Sequence, residues 1–298
     1  MTPPLYDART KKTLMREYIS LFKLRIVVLL VFVAIVTAVT ASRGALHPSK
    51  IIILAVAGAL ASAGASILNH YFDRDIDGVM DRTKNRPLPA GKVGAHFACW
   101  LGIILIGLSI LISSKLNFLT SAYILSGALV YIFIYTVWLK RRSAANIVIG
   151  GTAGSCAVLA GYAAMNDNTT LAAILMALLV FLWTPPHFWA FAIVHKRSYK
   201  RAMIPMLPVT QGETRAARLI LMHTVLLVQA SLLLYALGYF GILYLATAVI
   251  FGLLFVAFNV KLVLEPTKKT AWGSYKLSGV YLVALFIGML LDTLFKLA

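Results

Sequence analysis

Charge and cysteine are both scarce in this chain of 298 residues: 13% of the residues are charged, ten are acidic, and two are cysteines, Cys99 and Cys156. The two cysteines have no paired spacing, which argues against a disulfide framework or a cysteine-based zinc site and reads them as small core residues. Polar stretches long enough for a soluble domain, low-complexity tracts and strong internal repeats are also missing, so the chain reads as one domain over 1–298. Residues 1–20 are polar and basic, with no short apolar run before a small-residue cleavage site, so a cleavable signal peptide is not expected. The net charge of +18 does not point to nucleic acid. Its basic residues are spread over short loops beside apolar segments, where anionic lipid attracts them.

What fills the sequence is apolar: 60% of the residues are hydrophobic, in recurring runs of about 20 residues. Such runs cross a hydrocarbon core of about 30 Å as helices, so the expected fold is all-α, a polytopic membrane protein with about nine spans in one bundle. The spans are expected near 22–41, 51–71, 94–113, 117–138, 144–164, 170–191, 219–238, 241–261 and 275–295. On that arrangement 24 of the 28 basic residues fall on one side, and Arg43, Lys50, Lys115 and Lys296 fall on the other. The positive-inside rule then puts the N-terminal segment 1–20 in the cytoplasm and the C-terminus outside.

Four of the ten acidic residues, Asp73, Asp75, Asp77 and Asp81, lie within nine positions after the second span. Asn69, Asp73, Asp77 and Asp81 recur every fourth residue, so a helix continuing through them would stack their side chains about 5–6 Å apart. Carboxylates so placed repel one another unless a cation sits between them. Hard oxygen ligands with open positions suit Mg²⁺, which takes its remaining ligands from water and phosphate. Arg82, Lys84 and Arg86 follow at once, and Arg grips phosphate oxygens in bidentate fashion. The pattern predicts a metal-diphosphate site at the cytoplasmic mouth of a bundle, against the plainer reading of a self-neutralising charged loop.

The motif Asn-x-x-x-Asp-x-x-x-Asp followed by Met80, Arg82, Thr83, Arg86 and Pro87 resembles the first signature of the intramembrane aromatic prenyltransferases of the UbiA type. Within that superfamily the closest likeness is to the protoheme IX farnesyltransferases. Lys23-Leu-Arg25, the run Tyr135 to Gly151 with Lys140, Arg141 and Asn146, the segment Trp183-Thr-Pro-Pro-His187-Phe-Trp189, and Tyr199 to Pro208 with Arg201 are similar to further family elements. Leu24 and Ser143 replace a usual proline and threonine, and two further departures matter more. Ser198 stands where an aspartate is usual, and Gly154 to Gly161 lacks the usual proline pair.

The resemblance implies Mg²⁺-dependent transfer of farnesyl from farnesyl diphosphate to a vinyl group of protoheme IX, with heme as substrate and not as resident cofactor. It implies metal ligands Asn69, Asp73, Asp77 and Asp81; catalytic roles for Asp73, Asp77, Lys140 and His187; and substrate contacts from Lys23, Arg25, Asn69, Arg82, Lys84, Arg86, Tyr135, Arg141, Asn146, Tyr199 and Arg201. The setting it implies is a bacterial inner membrane, with the site on the cytoplasmic side. Expected protein partners are heme A synthase or terminal-oxidase assembly.

Plainer readings stand beside these. Lys140 and Arg141 also fit positive-inside anchors, Pro185-Pro186 a kink, and Tyr131 and Tyr135 an interfacial belt. His187 reads equally as a hydrogen-bonded interior residue, a heme contact or a proton carrier. A prenyltransferase for a quinone precursor or chlorophyllide-like acceptor would use the same donor site. A transporter would instead carry charge near the centres of its spans, which these lack. A heme chaperone or oxidase-assembly protein would not need the acidic ladder.

Overall fold

The computed structural model describes residues 17–295. Among them nine helices are long and apolar enough to cross a membrane: α1 Leu24–Ala41, α2 Pro48–Phe72, α3 Ala95–Ser113, α4 Phe118–Leu139, α5 Asn146–Asn166, α6 Leu171–Val194, α7 Glu213–Ala236, α8 Ile242–Leu264 and α9 Lys268–Phe295. The protein is therefore an integral membrane protein. Lys296 and residues 1–16 lie outside the described range.

The expected spans match these helices except at two starts. Helix α7 begins at Glu213 and α9 at Lys268, each several residues earlier than hydropathy suggested. Hydropathy marks only the stretch that sits in lipid, whereas caps set the helix ends. Glu213 places a carboxylate in the first turn of α7, where the helix dipole favours it. Thr267 Oγ1 accepts from the Thr270 N–H (3.2 Å) ahead of α9.

The helices form a closed ring in which successive spans are neighbours, and α9 returns to α1. Helices α1 and α5 also pack on each other, as do α6 and α9. Small residues allow these approaches. A Cβ on Gly161 of α5 would lie 2.1 Å from the Ala34 carbonyl oxygen of α1. The helix runs unbroken through this stretch, Thr152–Asn166, where the family's proline pair is absent.

Polar residues inside the spans tie helices together, as they must where water is excluded. Asn259 of α8 donates to Thr224 of α7 (2.9 Å) and accepts from Ser274 of α9 (2.6 Å). Asp292, an acid in the last span, accepts from the Gly241 N–H (2.5 Å) and the Tyr244 N–H (3.3 Å) at the start of α8. It serves the structure by capping a helix N-terminus.

Gly161→Leu is expected to force α1 and α5 apart and cost about 1–3 kcal/mol or more. The check is thermal unfolding in detergent; a Tm equal to that of the unaltered protein would mean the two helices do not meet at this glycine.

Candidate active site

The site is built where α2 stops. Asp73 caps α2 with φ −91° and ψ 1°, and a short helix, Arg74–Val79, follows. Backbone bonds from Asp73 N to Asn69 O (2.9 Å) and from Asp77 N to Asp73 O (2.8 Å) carry the fourfold spacing across the break. Asn69, Asp73 and Asp77 consequently share a face, and all three are buried. The carboxylates at the mouth are enclosed by the bundle: Asp73 is 1% and Asp77 3% exposed.

Asp81 does not join them. Met80 is extended at ψ 126°, which ends the helix. The chain then turns back on Thr83, whose hydroxyl donates to Asp77 O (2.9 Å) while the Arg86 N–H donates to Thr83 O (2.9 Å). That turn returns the Arg86 Nη1 to Asp77 Oδ2 (2.7 Å) and leaves Asp81 facing out. Asp81 pairs instead with Arg201 (2.8 Å) and Lys84 (3.5 Å), with its side chain 56% exposed. Asp81, Lys84 and Arg201, expected as metal ligand and substrate contacts, thus form an exposed ion-pair cluster apart from Asn69, Asp73 and Asp77.

Arg141 is also engaged elsewhere. It donates to both oxygens of Asp75 (2.7 Å each) and to Phe72 O (2.8 Å), clamping the α2 end from outside. The guanidinium hydrogen bonds hold the Asp75 carboxyl down at about 2.

Inside, a hydrogen-bonded chain crosses three helices. Lys23 Nζ donates to Asn69 Oδ1, and Asn69 Nδ2 donates to Asp73 Oδ2 (2.7 Å) and Thr136 Oγ1 (2.9 Å). Lys140 Nζ donates to the same Asp73 oxygen. Two local distortions aim the lysines. Lys23 adopts a left-handed conformation with φ 48° ahead of α1, an unusual state for a residue with a Cβ. The second half of α4, Val130–Leu139, is a π-helix, closed by the Lys140 N–H bond to Tyr135 O (2.8 Å). The wider turn rotates Lys140 towards Asp73 and stacks Tyr131 on Tyr135 at 5.7 Å. Asn146 is fully buried behind this strand of contacts, and its Nδ2 donates to Lys140 O (3.4 Å). It holds the lysine's backbone and does not line the cavity. Burial, with Arg86 and Lys140 nearby, pushes the Lys23 ammonium down to about 7.

Below the mouth opens a cavity of about 650 Å³, walled mainly by apolar residues of α1, α2, α4, α5, α6 and α9. Lys23, Arg25, Arg82, Arg86 and Lys140 all line it, with Asp77 at its head and Asp73 beside it. Arg82 lies over the Phe191 ring at 5.3 Å. Tyr135, Tyr199 and His187 face the same space. Sequence reasoning passed over Tyr275 and Ser278 of α9, which hold His187 in place. Their only signal is the Ser274, Ser278 spacing of four within an apolar run.

A model of the UbiA prenyltransferase family matches residues 29–287. The chain belongs to that family. Its sequence relatives narrow the class. It is 41% identical to a protein of Symbiobacterium thermophilum named protoheme IX farnesyltransferase, over 93% of this chain and 94% of that one. It is 44% identical to the protein of the same name from Metallosphaera sedula, over 93% and 96%. In fold it is similar to digeranylgeranylglyceryl phosphate synthase, with a TM-score of 0.79 at 21% identity over 95% of this chain and 99% of that one. It is also similar to a UbiA homolog from Archaeoglobus fulgidus bound to GPP and Mg²⁺, with a TM-score of 0.67 at 17% identity over 92% and 99%.

Asp73→Asn and Asp77→Asn are expected to lower prenyl-transfer turnover by about 10²–10³-fold while the protein stays folded. Asparagine is the informative change, because alanine at 73 would strand Lys140 beside an empty site at a cost of about 3–5 kcal/mol. Asp81→Asn should leave turnover within about twofold, as loss of an exposed pair does. Equal losses for all three in a steady-state assay would contradict the division between buried and outward-facing carboxylates.

Proposed function

We propose that the protein is a Mg²⁺-dependent transferase that moves the farnesyl group of farnesyl diphosphate onto a vinyl group of protoheme IX, giving heme O. The observation that carries this reading is the set of five basic side chains gathered around two buried carboxylates at the head of an apolar cavity. That balance suits a polyanion with one long apolar tail better than it suits a bare cation. The name of the relatives at 41% and 44% identity supplies the acceptor.

The residues present fit the metal. Asp73 Oδ1 is buried and has no hydrogen-bond partner among the described residues, which leaves an anionic oxygen for a hard cation. Asn69, Asp73 and Asp77 would hold it. When bound, Mg²⁺ supplies positive charge that favours departure of the diphosphate.

The chain's own residues do the rest. Lys23, Arg25, Arg82, Arg86 and Lys140 bind the diphosphate and neutralise charge that grows on it as the allylic carbon–oxygen bond breaks. The tail lies along small residues such as Ala61, Ala65, Gly127 and Ala157, which leave room for it. Faces of Tyr131 and Tyr135 stabilise the allylic cation, and apolar walls keep water from capturing it early. The vinyl carbon of the acceptor then attacks. Water adds to the resulting cation and loses a proton, completing the hydroxyethylfarnesyl group. The concentration of basic loops on the side of the mouth supports a site open to the cytoplasm.

Incubating the purified protein with farnesyl diphosphate, Mg²⁺ and protoheme should give a farnesylated heme, detected by chromatography and mass, and chelator should abolish it. Transfer only to a quinone precursor or another aromatic acceptor would retain the donor site and overturn the acceptor. No transfer to any acceptor would overturn the enzymatic reading.

A further inference from the structure

Beside the reaction cavity lies a second, smaller pocket of about 310 Å³, and Lys23, Arg82 and Arg86 line both. These three basic side chains are the wall that the two spaces share. Ser20 and Asn85, both exposed, lie at its rim, so the pocket opens outward at the mouth. Glu17 is the acid among its lining residues, and its carboxylate is taken up by Lys92 Nζ (2.5 Å). Neither Lys23 nor Arg82 pairs with a carboxylate among the described residues, which leaves the pocket an excess of positive charge.

His70 gives an independent sign of a ligand. It is 2% exposed, and it lines this pocket but not the reaction cavity. Neither ring nitrogen has a hydrogen-bond partner among the described residues. Nδ1 lies 3.9 Å from Asp77 Oδ2, too far for a hydrogen bond. An imidazole carries at least one N–H in either tautomer. Burying that donor unpaired is costly, and native proteins rarely do so without a ligand, an ion or a water to take the bond.

A buried N–H donor beside basic groups that lack carboxylate partners suits a phosphate oxyanion with several oxygens to satisfy. The geometry points to a second anion site in this pocket, one that receives the inorganic diphosphate once the allylic carbon–oxygen bond has broken. The inference rests on the reading that a prenyl diphosphate is the donor. Because Lys23, Arg82 and Arg86 line both spaces, the diphosphate crosses between them without losing its basic contacts. His70 and Asn85 then take up oxygens that the head of the cavity no longer holds. The transfer makes and breaks no covalent bond. It clears the head of the cavity for a new donor while the diphosphate leaves by the rim. A lipid phosphate has the same chemistry, but the shared basic wall favours the diphosphate.

The test titrates inorganic diphosphate, in excess Mg²⁺, into the full-length protein already saturated with a non-reacting thio analogue of farnesyl diphosphate, read by calorimetry in detergent. One further equivalent of diphosphate should bind. His70→Phe and Asn85→Asp should each weaken it about tenfold or more, as loss of a hydrogen bond to a charged group does. Both should keep their affinity for the analogue within about twofold. Diphosphate that only displaces the analogue would overturn the inference, as would a further equivalent that both variants bind with unaltered affinity; in each case the donor-site reading stands. If His70→Phe does not fold, Asn85→Asp decides alone. Nanodiscs separate the two sources of phosphate. A further equivalent bound in phosphatidylcholine but lost in phosphatidylglycerol would assign the pocket to a lipid headgroup and overturn the release role, whereas equal binding in both supports it. Failure of the analogue itself to bind would overturn the donor reading and this inference together.

Discussion

The structure of this protein turns on one buried hydrogen-bonded chain, from Lys23 through Asn69 and Asp73 to Lys140, that joins α1, α2 and α4 at the head of the cavity. Burying charge there costs several kcal/mol per ion unless geometry and extra hydrogen bonds offset it. Much of the local backbone serves to offset it. Lys23 sits in a left-handed conformation, α2 breaks at Phe72, and α4 widens into a π-helix. Around the chain, Arg86 is folded back onto Asp77 by the turn at Thr83, and Arg141 holds Asp75 from outside.

Much of this was legible in the sequence. Apolar runs located the nine spans of the described residues, and the fourfold spacing of Asn69, Asp73 and Asp77 anticipated the buried face that these three share. Periodicity failed one step further on, at Asp81. A repeat of four cannot reveal that Met80 turns extended, because that depends on where the chain must reverse to return Arg86. Charge type was similarly blind to partners: Arg141 and Arg86 look alike in the sequence, yet one braces the outer side of the site and the other lines the cavity. The π-helix left no signal at all in Val130–Leu139, a run of apolar and aromatic residues that an α-helix would accept. Ser278 and Tyr275 were hidden for another reason. Their importance comes from lying opposite His187 across two helices distant in sequence.

The cavity joins two kinds of chemistry in one space. At its head, positive side chains and buried carboxylates suit a metal and a diphosphate. Deeper in, the rings of Tyr135, Trp183, His187 and Tyr275 line an otherwise apolar space. Between them the walls are apolar and offer few groups that could hold water, as a reaction through an allylic cation requires. The departure at Ser198 sits on the short helix Lys196–Arg201, beside the buried Tyr199 that does face the cavity. With Asp81 turned outward and no acid at 198, Asp73 and Asp77 are the carboxylates at the head of the cavity among the described residues.

The central claim is that Asp73 and Asp77 hold the metal that engages the diphosphate. The most direct measurement is a crystal structure with Mn²⁺ and a non-reacting thio analogue of farnesyl diphosphate, using anomalous scattering to locate the metal. A peak bridging Asp73 Oδ1, Asp77 and the diphosphate is the predicted result. A peak at Asp75 or Asp81, or a bound diphosphate held by the basic residues with no metal beside it, would contradict the account.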